Sequence, residues 1–234
     1  MSEQYPTVMS WSGGKDSALA LHYLLQQKEF DVRCLLTTIN EHFGRIAMHG
    51  VRKQLLIDQA TQLNMPLVEV NLPEMPDMEV YENAMGGMLS GLAADGITQV
   101  AFGDIFLEDL KLYREQQLGG FGLKGIFPLW GKDTREIMNE FIDLGFKTVV
   151  VCAQDGLKEL CGQVMDRDFI KGLPKHIDPC GENGEFHTFV FDGPIFRSPI
   201  VFKLGELVCR SFPNPNPNQG HHNSPIKFWY RDLM

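Results

Sequence analysis

The 234-residue sequence predicts an α/β protein: a parallel, five-stranded, doubly wound sheet followed by a smaller C-terminal α+β domain. Three observations carry this reading. Short apolar runs alternate with helical patterns over roughly the first half of the chain. A Gly-Gly turn joins the first apolar run to the first helical pattern. After residue 133 the texture changes to apolar runs separated by turn residues, which divides the chain into 1–133 and 134–234. Strand–helix alternation implies a parallel sheet, because a parallel return needs a crossover long enough to hold a helix.

The elements follow in order. Residues 5–11 (YPTVMSW) read as a short buried strand, and a helix opens near Asp16, with Leu21, Leu24 and Leu25 recurring at helical spacing. Residues 31–39 (DVRCLLTTI) read as a second strand, and 50–64 as a helix with Leu56, Ala60 and Leu63 on one face. Residues 66–72 form the third strand and 78–94 a helix weakened by Gly86, Gly87 and Gly91. Residues 97–103 (ITQVAFG) make the fourth strand, 105–117 a charged amphipathic helix and 125–130 (GIFPLW) the fifth strand, where Pro128 restricts pairing. A helix through Ile137, Phe141 and Leu144 and a strand at 147–152 continue the pattern. Strands at 185–191 and 200–204, split by Asp192-Gly193-Pro194, then suggest antiparallel pairing. The Pro/Asn-rich stretch 213–225, which contains His221-His222, reads as a loop, and 226–230 (IKFWY) as a returning strand.

Composition narrows the class. Twenty-one Lys+Arg against 30 Asp+Glu leave a net charge of −9, which disfavours a dedicated nucleic-acid binder. Hydrophobic residues at 44% and charged residues at 22% fit a globular domain with a real core. The five cysteines include no CxxC pair and give no disulfide framework or four-cysteine zinc site. No export signal and no membrane-length apolar segment is visible, so the expected location is cytoplasmic, without a membrane partner.

Ligands of open α/β sheets bind beyond the carboxyl ends of the strands. Ser12–Ser17, Thr37–Ile39 and Gly103-Asp104 all fall at such ends, and Thr38 is the choice within the second group. Ser12-Gly13-Gly14-Lys15-Asp16-Ser17 has the chemistry of an anion cradle. Its glycines permit close backbone approach, the helix N-terminus and its amides face a phosphate, Lys15 adds charge, and Ser12 and Ser17 add hydroxyls. It matches neither the Walker P-loop nor the dinucleotide fingerprint. His49 and Arg52, one turn apart at a helix start, are candidates to face a phosphate, and Arg114 is a candidate substrate contact. If residues 185–190 form a strand, Glu185 and His187 share a face and can orient an amine and remove its proton, with Glu182 beside them. Cys180 reads as a buried thiol before it reads as a sulfur carrier.

SGGKDS resembles the PP-loop of the N-type ATP pyrophosphatases, which implies a HUP-type sheet of strand order 3-2-1-4-5 and cleavage of ATP between its α- and β-phosphates. The segments RIAMHGVR (45–52), Gly103-Asp104-Ile105, PLWGKD (128–133) and DPCGENGEFHTFVFDGP (178–194) are similar to the diphthine–ammonia ligase family over most of residues 7–204. Asp104 through Asp109 followed by Tyr113-Arg114 departs from the archaeal and eukaryotic pattern and resembles the bacterial branch. The resemblance implies amidation of an acceptor carboxylate with release of AMP and pyrophosphate. The partners it implies are ATP, ammonia and an acceptor that is either diphthine on elongation factor two or a small molecule. It implies that Ser12, Gly13, Gly14, Lys15, Asp16 and Ser17 hold the phosphates and that Asp16 helps hold Mg2+. Gly103 would admit adenine, and Asp104 would meet ribose or the amine. Two rivals share the loop: a sulfur-transfer enzyme acting on transfer RNA, and an ATP- or AMP-binding module without turnover. A homo-oligomer is compatible with all of these.

Overall fold

The computed structural model describes residues 4–46, 49–212 and 225–234. His221-His222 and the Pro/Asn-rich stretch before Pro225 lie outside the described residues.

The first sheet is built on β1 (Tyr5–Ser10), which lies at its centre. β2 (Phe30–Asn40) and β5 (Gln99–Ala101) flank it in parallel, β4 (Leu67–Leu72) lies outside β2, and β6 (Lys124–Ile126) lies outside β5. Among the five parallel strands this is the order 3-2-1-4-5. Among the described residues the sheet has six strands, the five parallel ones and one more. The short β3 (Arg45–Ile46) folds back antiparallel onto Ile39 and Asn40, a two-residue pairing too brief to leave a sequence pattern.

Helices cover both faces. α1 (Lys15–Gln26) and α2 (Lys53–Leu63) bury Leu19, Leu21, Leu24 and Leu56 against one face. α3 (Met78–Ala94) and α4 (Glu108–Gly119) bury Leu89, Leu92 and Leu118 against the other, with Val8, Val100 and Phe102. Val8 and Met9 are both fully buried, as expected of a strand covered on two sides. Two boundaries move inward from expectation. α4 starts at Glu108 because Ile105 is buried and its N–H is held elsewhere. β6 ends at Ile126, beyond which Leu129 enters the core from a turn.

After α5 (Thr134–Asp143) the chain leaves the parallel sheet. β7 (Lys147–Gln154), which continues the strand–helix pattern in the sequence, pairs antiparallel with β8 (Phe186–Asp192) and β10 (Ile226–Leu233). Its run Val149–Ala153 is buried on both faces, and such a run reads the same in either sheet type. The second sheet has order β8-β7-β10-β9, with β9 spanning Leu204–Phe212 rather than 200–204. Ile200 and Phe202 are apolar because they pack under β8, where the Phe202 ring meets Phe189 and Phe191. A 3-10 turn at Lys158–Leu160 and α6 (Arg167–Gly172) close the module. One hydrophobic cluster joins Met9, Trp11 and Leu21 to Phe141, Val150 and Phe189, so packing crosses the boundary at residue 133.

Candidate active site

β1 ends at Ser10, and the chain turns into α1 through Ser12–Gly14. Gly13 has φ +75°, and a Cβ there would sit 2.7 Å from Gln59 Oε1. Gly14 is the N-cap of α1 and brings no side-chain cap of its own; the Gly14 N–H donates to Ser12 Oγ, and the positive end of the helix faces the loop. Gly103, at the end of β5, presses on the first turn of α1, and its missing Cβ would lie 2.8 Å from the Asp16 carbonyl carbon. Positive φ accounts for glycine at position 13, and the backbone of α1 pressed against position 103 accounts for it there.

The loop is fastened from outside. Gln59 of α2 is fully buried. Its Oε1 accepts from Trp11 Nε1 at 2.9 Å, and its Nε2 donates to the carbonyls of Gly13 (3.0 Å) and Val190 (2.6 Å). β8 supports the other side: Val190 N–H donates to Gly13 O at 2.9 Å, and Lys15 N–H to Thr188 Oγ1 at 3.1 Å. Ser12 and Ser17 share a hydrogen bond of 3.1 Å, and Ser17 Oγ donates to Gly14 O.

The loop opens onto a cavity of about 320 Å3, which borders a second of about 340 Å3; the two share Ser10, Ser12, His49, Phe102 and Arg114. Lys15 is only 4% exposed, and its Nζ lies 2.8 Å from Asp16 Oδ2. Burial pulls its pKa down, but Asp16, Cys180 and Glu182 outweigh burial and hold the ammonium above its ordinary range. Asp16 Oδ1 is buried without a hydrogen-bond partner. Glu182 Oε1 accepts from Ile105 N–H at 3.0 Å; burial, then Asp16, push its carboxyl up to about 7. Burial, then the Lys15 charge, lower His187 to about 4, so the ring is neutral near pH 7. It lies 4.5 Å from the ring of His49. Asp104 pairs with Arg114 at 2.7 Å, and the Arg114 guanidinium lies 4.3 Å over the Phe102 ring. Burial drives the Cys180 thiol far up, leaving it protonated as its Sγ donates to Thr134 O.

The structure therefore brings Ser12, Gly14, Lys15, Asp16, Ser17, His49, Gly103, Asp104, Arg114, Glu182 and His187 to one cavity, and Thr38 to its neighbour. Two expected residues stand apart. Glu185 precedes β8 instead of sharing a strand face with His187. Its carboxylate is spent on the turn before it, accepting from the N–H groups of Asp178 and Asn183 and from Asn183 Nδ2. Arg52 does not join His49 at an anion; it pairs with Asp232, 2.6 Å away, alongside Arg45. Sequence spacing missed two others. Gln59 left no signal, because its partners lie 46 to 131 residues away. Thr37 was inside the strand-end group, but its buried, unpartnered Oγ1 appears only in three dimensions. Among the described residues there is no cluster of three His, Cys, Asp or Glu placed to hold a metal, and no helix long and apolar enough to cross a membrane.

The chain is 28% identical to the diphthine–ammonia ligase of Schizosaccharomyces pombe over 96 residues, covering 38% of this chain and 16% of that protein. It is 26% identical to the Homo sapiens and Bos taurus diphthine–ammonia ligases over 120 residues, covering 48% of this chain and 45% of each relative. The matched region thus spans less than half the length of these relatives. A solved structure, the U34-tRNA thiolase NcsA from Methanococcus maripaludis, aligns at 18% identity with a TM-score of 0.37, over 61% of this chain and 58% of that one. The model of the diphthamide synthase N-terminal domain matches residues 6–124, and that of the C-terminal domain matches residues 133–208. With the first of these alone covering half of the sequence, the chain belongs to the diphthamide synthase family.

Proposed function

We propose that the chain is an ATP-dependent ligase that adenylates an acceptor carboxylate and converts it to an amide with ammonia. The observation that supports this most is the convergence of a glycine-lined helix N-terminus with a buried ammonium, Lys15, and a near-neutral carboxyl, Glu182, on one cavity. The phosphates lie on Ser12–Ser17, and adenosine extends into the neighbouring cavity, where Thr37 and Thr38 offer hydroxyls and Phe102 a ring face. An acceptor carboxylate oxygen attacks the α-phosphorus; the bond to the bridging oxygen breaks, and pyrophosphate leaves with that electron pair. Lys15 and the loop amides stabilise the charge it acquires, the kind of preorganised electrostatics that contributes most in such sites.

Asp16 Oδ1 is an oxygen of the kind Mg2+ takes. Mg2+ usually keeps several waters and takes one or two carboxylates together with substrate phosphates, so a single side-chain oxygen here is enough to seat it. Bound there, Mg2+ would neutralise phosphate charge. In the second step ammonia attacks the acyl carbon and AMP departs. Glu182, poised near neutrality, takes the proton released from nitrogen, a task that Glu185 is too fully committed to share. Neutral His187 orients the amine. The acceptor is diphthine on elongation factor two or a small molecule carrying a carboxylate.

The test is to incubate the protein with ATP, Mg2+, ammonium and a candidate acceptor and to separate the nucleotides. AMP and pyrophosphate are expected. Lys15→Ala should lower their formation by roughly 10²–10³-fold with the circular dichroism unchanged. ADP as the product, or AMP release untouched in that variant, would overturn the proposal.

A further inference from the structure

Among the described residues, the second sheet ends in an open edge. β9 runs nine residues, and among the described residues it pairs with β10 alone. The opposite edge of this sheet is covered, since β8 is bonded to the Gly13–Lys15 loop. Within its length β9 carries neither proline nor lysine, and Val208 and Phe212 are 43% and 41% exposed. A single bulge, where Gly205 and Glu206 face Asp232 of β10, interrupts the ladder and leaves residues 207–212 regular.

Taken over its whole length, β9 has a charge order that is self-complementary about its midpoint, Val208. Two copies of a strand that present the same face about a twofold axis pair antiparallel, and residues of like parity then stand opposite each other. Centred on Val208, the pairing sets Glu206 opposite Arg210 of the partner subunit, and Arg210 opposite Glu206 of the partner subunit. Val208 meets its own copy, and Leu207 meets Cys209 of the partner subunit. Moving the centre to Leu207 or Cys209 puts Glu206 opposite an apolar residue. Moving it to Glu206 or Arg210 puts like charges face to face, which destabilises a strand pair. Glu206 and Arg210 are both exposed, and among the described residues neither has an ion-pair partner in its own chain. Arg210 lies against the Phe43 ring, on the strand face that also carries Val208 and Phe212 and lines a cavity of about 320 Å3 with Tyr230.

We propose that β9 is a homodimerisation edge, at which two copies pair antiparallel in the register centred on Val208 and join their sheets into one of eight strands. The occupant is a second copy because the charge order along β9 matches its own reverse. The partner strand then lies along the rim of the cavity lined by Val208, Arg210 and Phe212. A strand pair this short buries little surface, so the dimer is concentration-dependent. This inference is independent of the ATP chemistry.

Sedimentation equilibrium of the full chain across a wide concentration range is expected to show a monomer–dimer equilibrium. Glu206→Arg should weaken association at least tenfold, and adding Arg210→Glu should restore it, because the exchanged charges again meet their opposites. In a Cys209→Ser background, diamide takes two electrons and two protons from facing thiols. Val208→Cys should then cross-link to a dimer, while Glu206→Cys, facing Arg210, should not. Circular dichroism confirms that each variant is folded. A monomer at every concentration, failure of the charge exchange to restore pairing, or equal cross-linking at 206 and 208 would overturn the proposal, including the case in which β9 receives another protein.

Discussion

Glu182 shows what the site costs the fold. In the unfolded chain its carboxyl titrates near 4.5; in the folded protein burial and then Asp16 raise it to about 7. Between those values the folded state keeps a proton that the unfolded state has lost, so stability falls as pH rises through the window. Glu182→Gln keeps an oxygen for the Ile105 N–H and removes the titration. The variant should melt above the parent at about pH 8, by roughly 2–4 °C for each kcal/mol regained, and level with it at about pH 4.5. Amide formation should fall over the same series. Differential scanning calorimetry at both pH values checks the first part. A parent that is no less stable than the variant at the higher pH would remove Glu182 as the strained group. His187 has the opposite sense: its lowered pKa keeps it neutral, and with Lys15 charged beside it a protonated ring would add a second buried cation.

At the scale of elements, the phosphate loop is a joint of three pieces: β1 delivers it, α2 pins it through Gln59, and β8 backs it through Thr188 and Val190. Gln59→Leu keeps volume but strips the Trp11 indole and the Val190 carbonyl of their partners. Each buried orphan costs about 1–3 kcal/mol, so the variant should lose roughly 2–4 kcal/mol in urea unfolding and bind ATP more weakly. Wild-type stability in that variant would show that the staple is not needed. The same joint marks what can be read from a sequence. Ser12–Ser17 and Gly103 were legible because a glycine turn between a strand and a helix announces itself within a few residues. So were the five parallel strands, whose apolar runs and crossover helices are local patterns. Gln59 was not legible, since its meaning depends on strands far along the chain. Glu185 was misread because period-two alternation applies only inside a strand, and β8 begins one residue later. β9 was hidden for a related reason: an exposed edge carries no burial pattern to announce it.

At the scale of the whole molecule, the boundary at residue 133 separates two sheets without separating two cores. Met9, Trp11, Leu19 and Leu24 from the first part share one cluster with Phe141, Val149, Phe186 and Phe189 from the second. The turn between them is tied as well: Gly131 N–H donates to Ile105 O, Asp133 caps α5, and Thr134 Oγ1 donates to Asp178. Residues 1–133 alone would therefore expose the apolar face of α1 and lose the strand behind the phosphate loop. Hydrophobic burial is the main term holding a domain together, and a fragment deprived of one wall of its core forfeits more than the few kcal/mol of margin that a native domain has. Expressed alone, residues 1–133 are expected to bind a hydrophobic dye, digest rapidly with protease and show no ATP-dependent rise in melting temperature. Co-expression with residues 134–234 should restore all three readouts, because the partner supplies Thr188, Val190 and the missing wall. A fragment that unfolds cooperatively and binds ATP by itself would make the first sheet an autonomous domain and reduce the shared cluster to an ordinary interface.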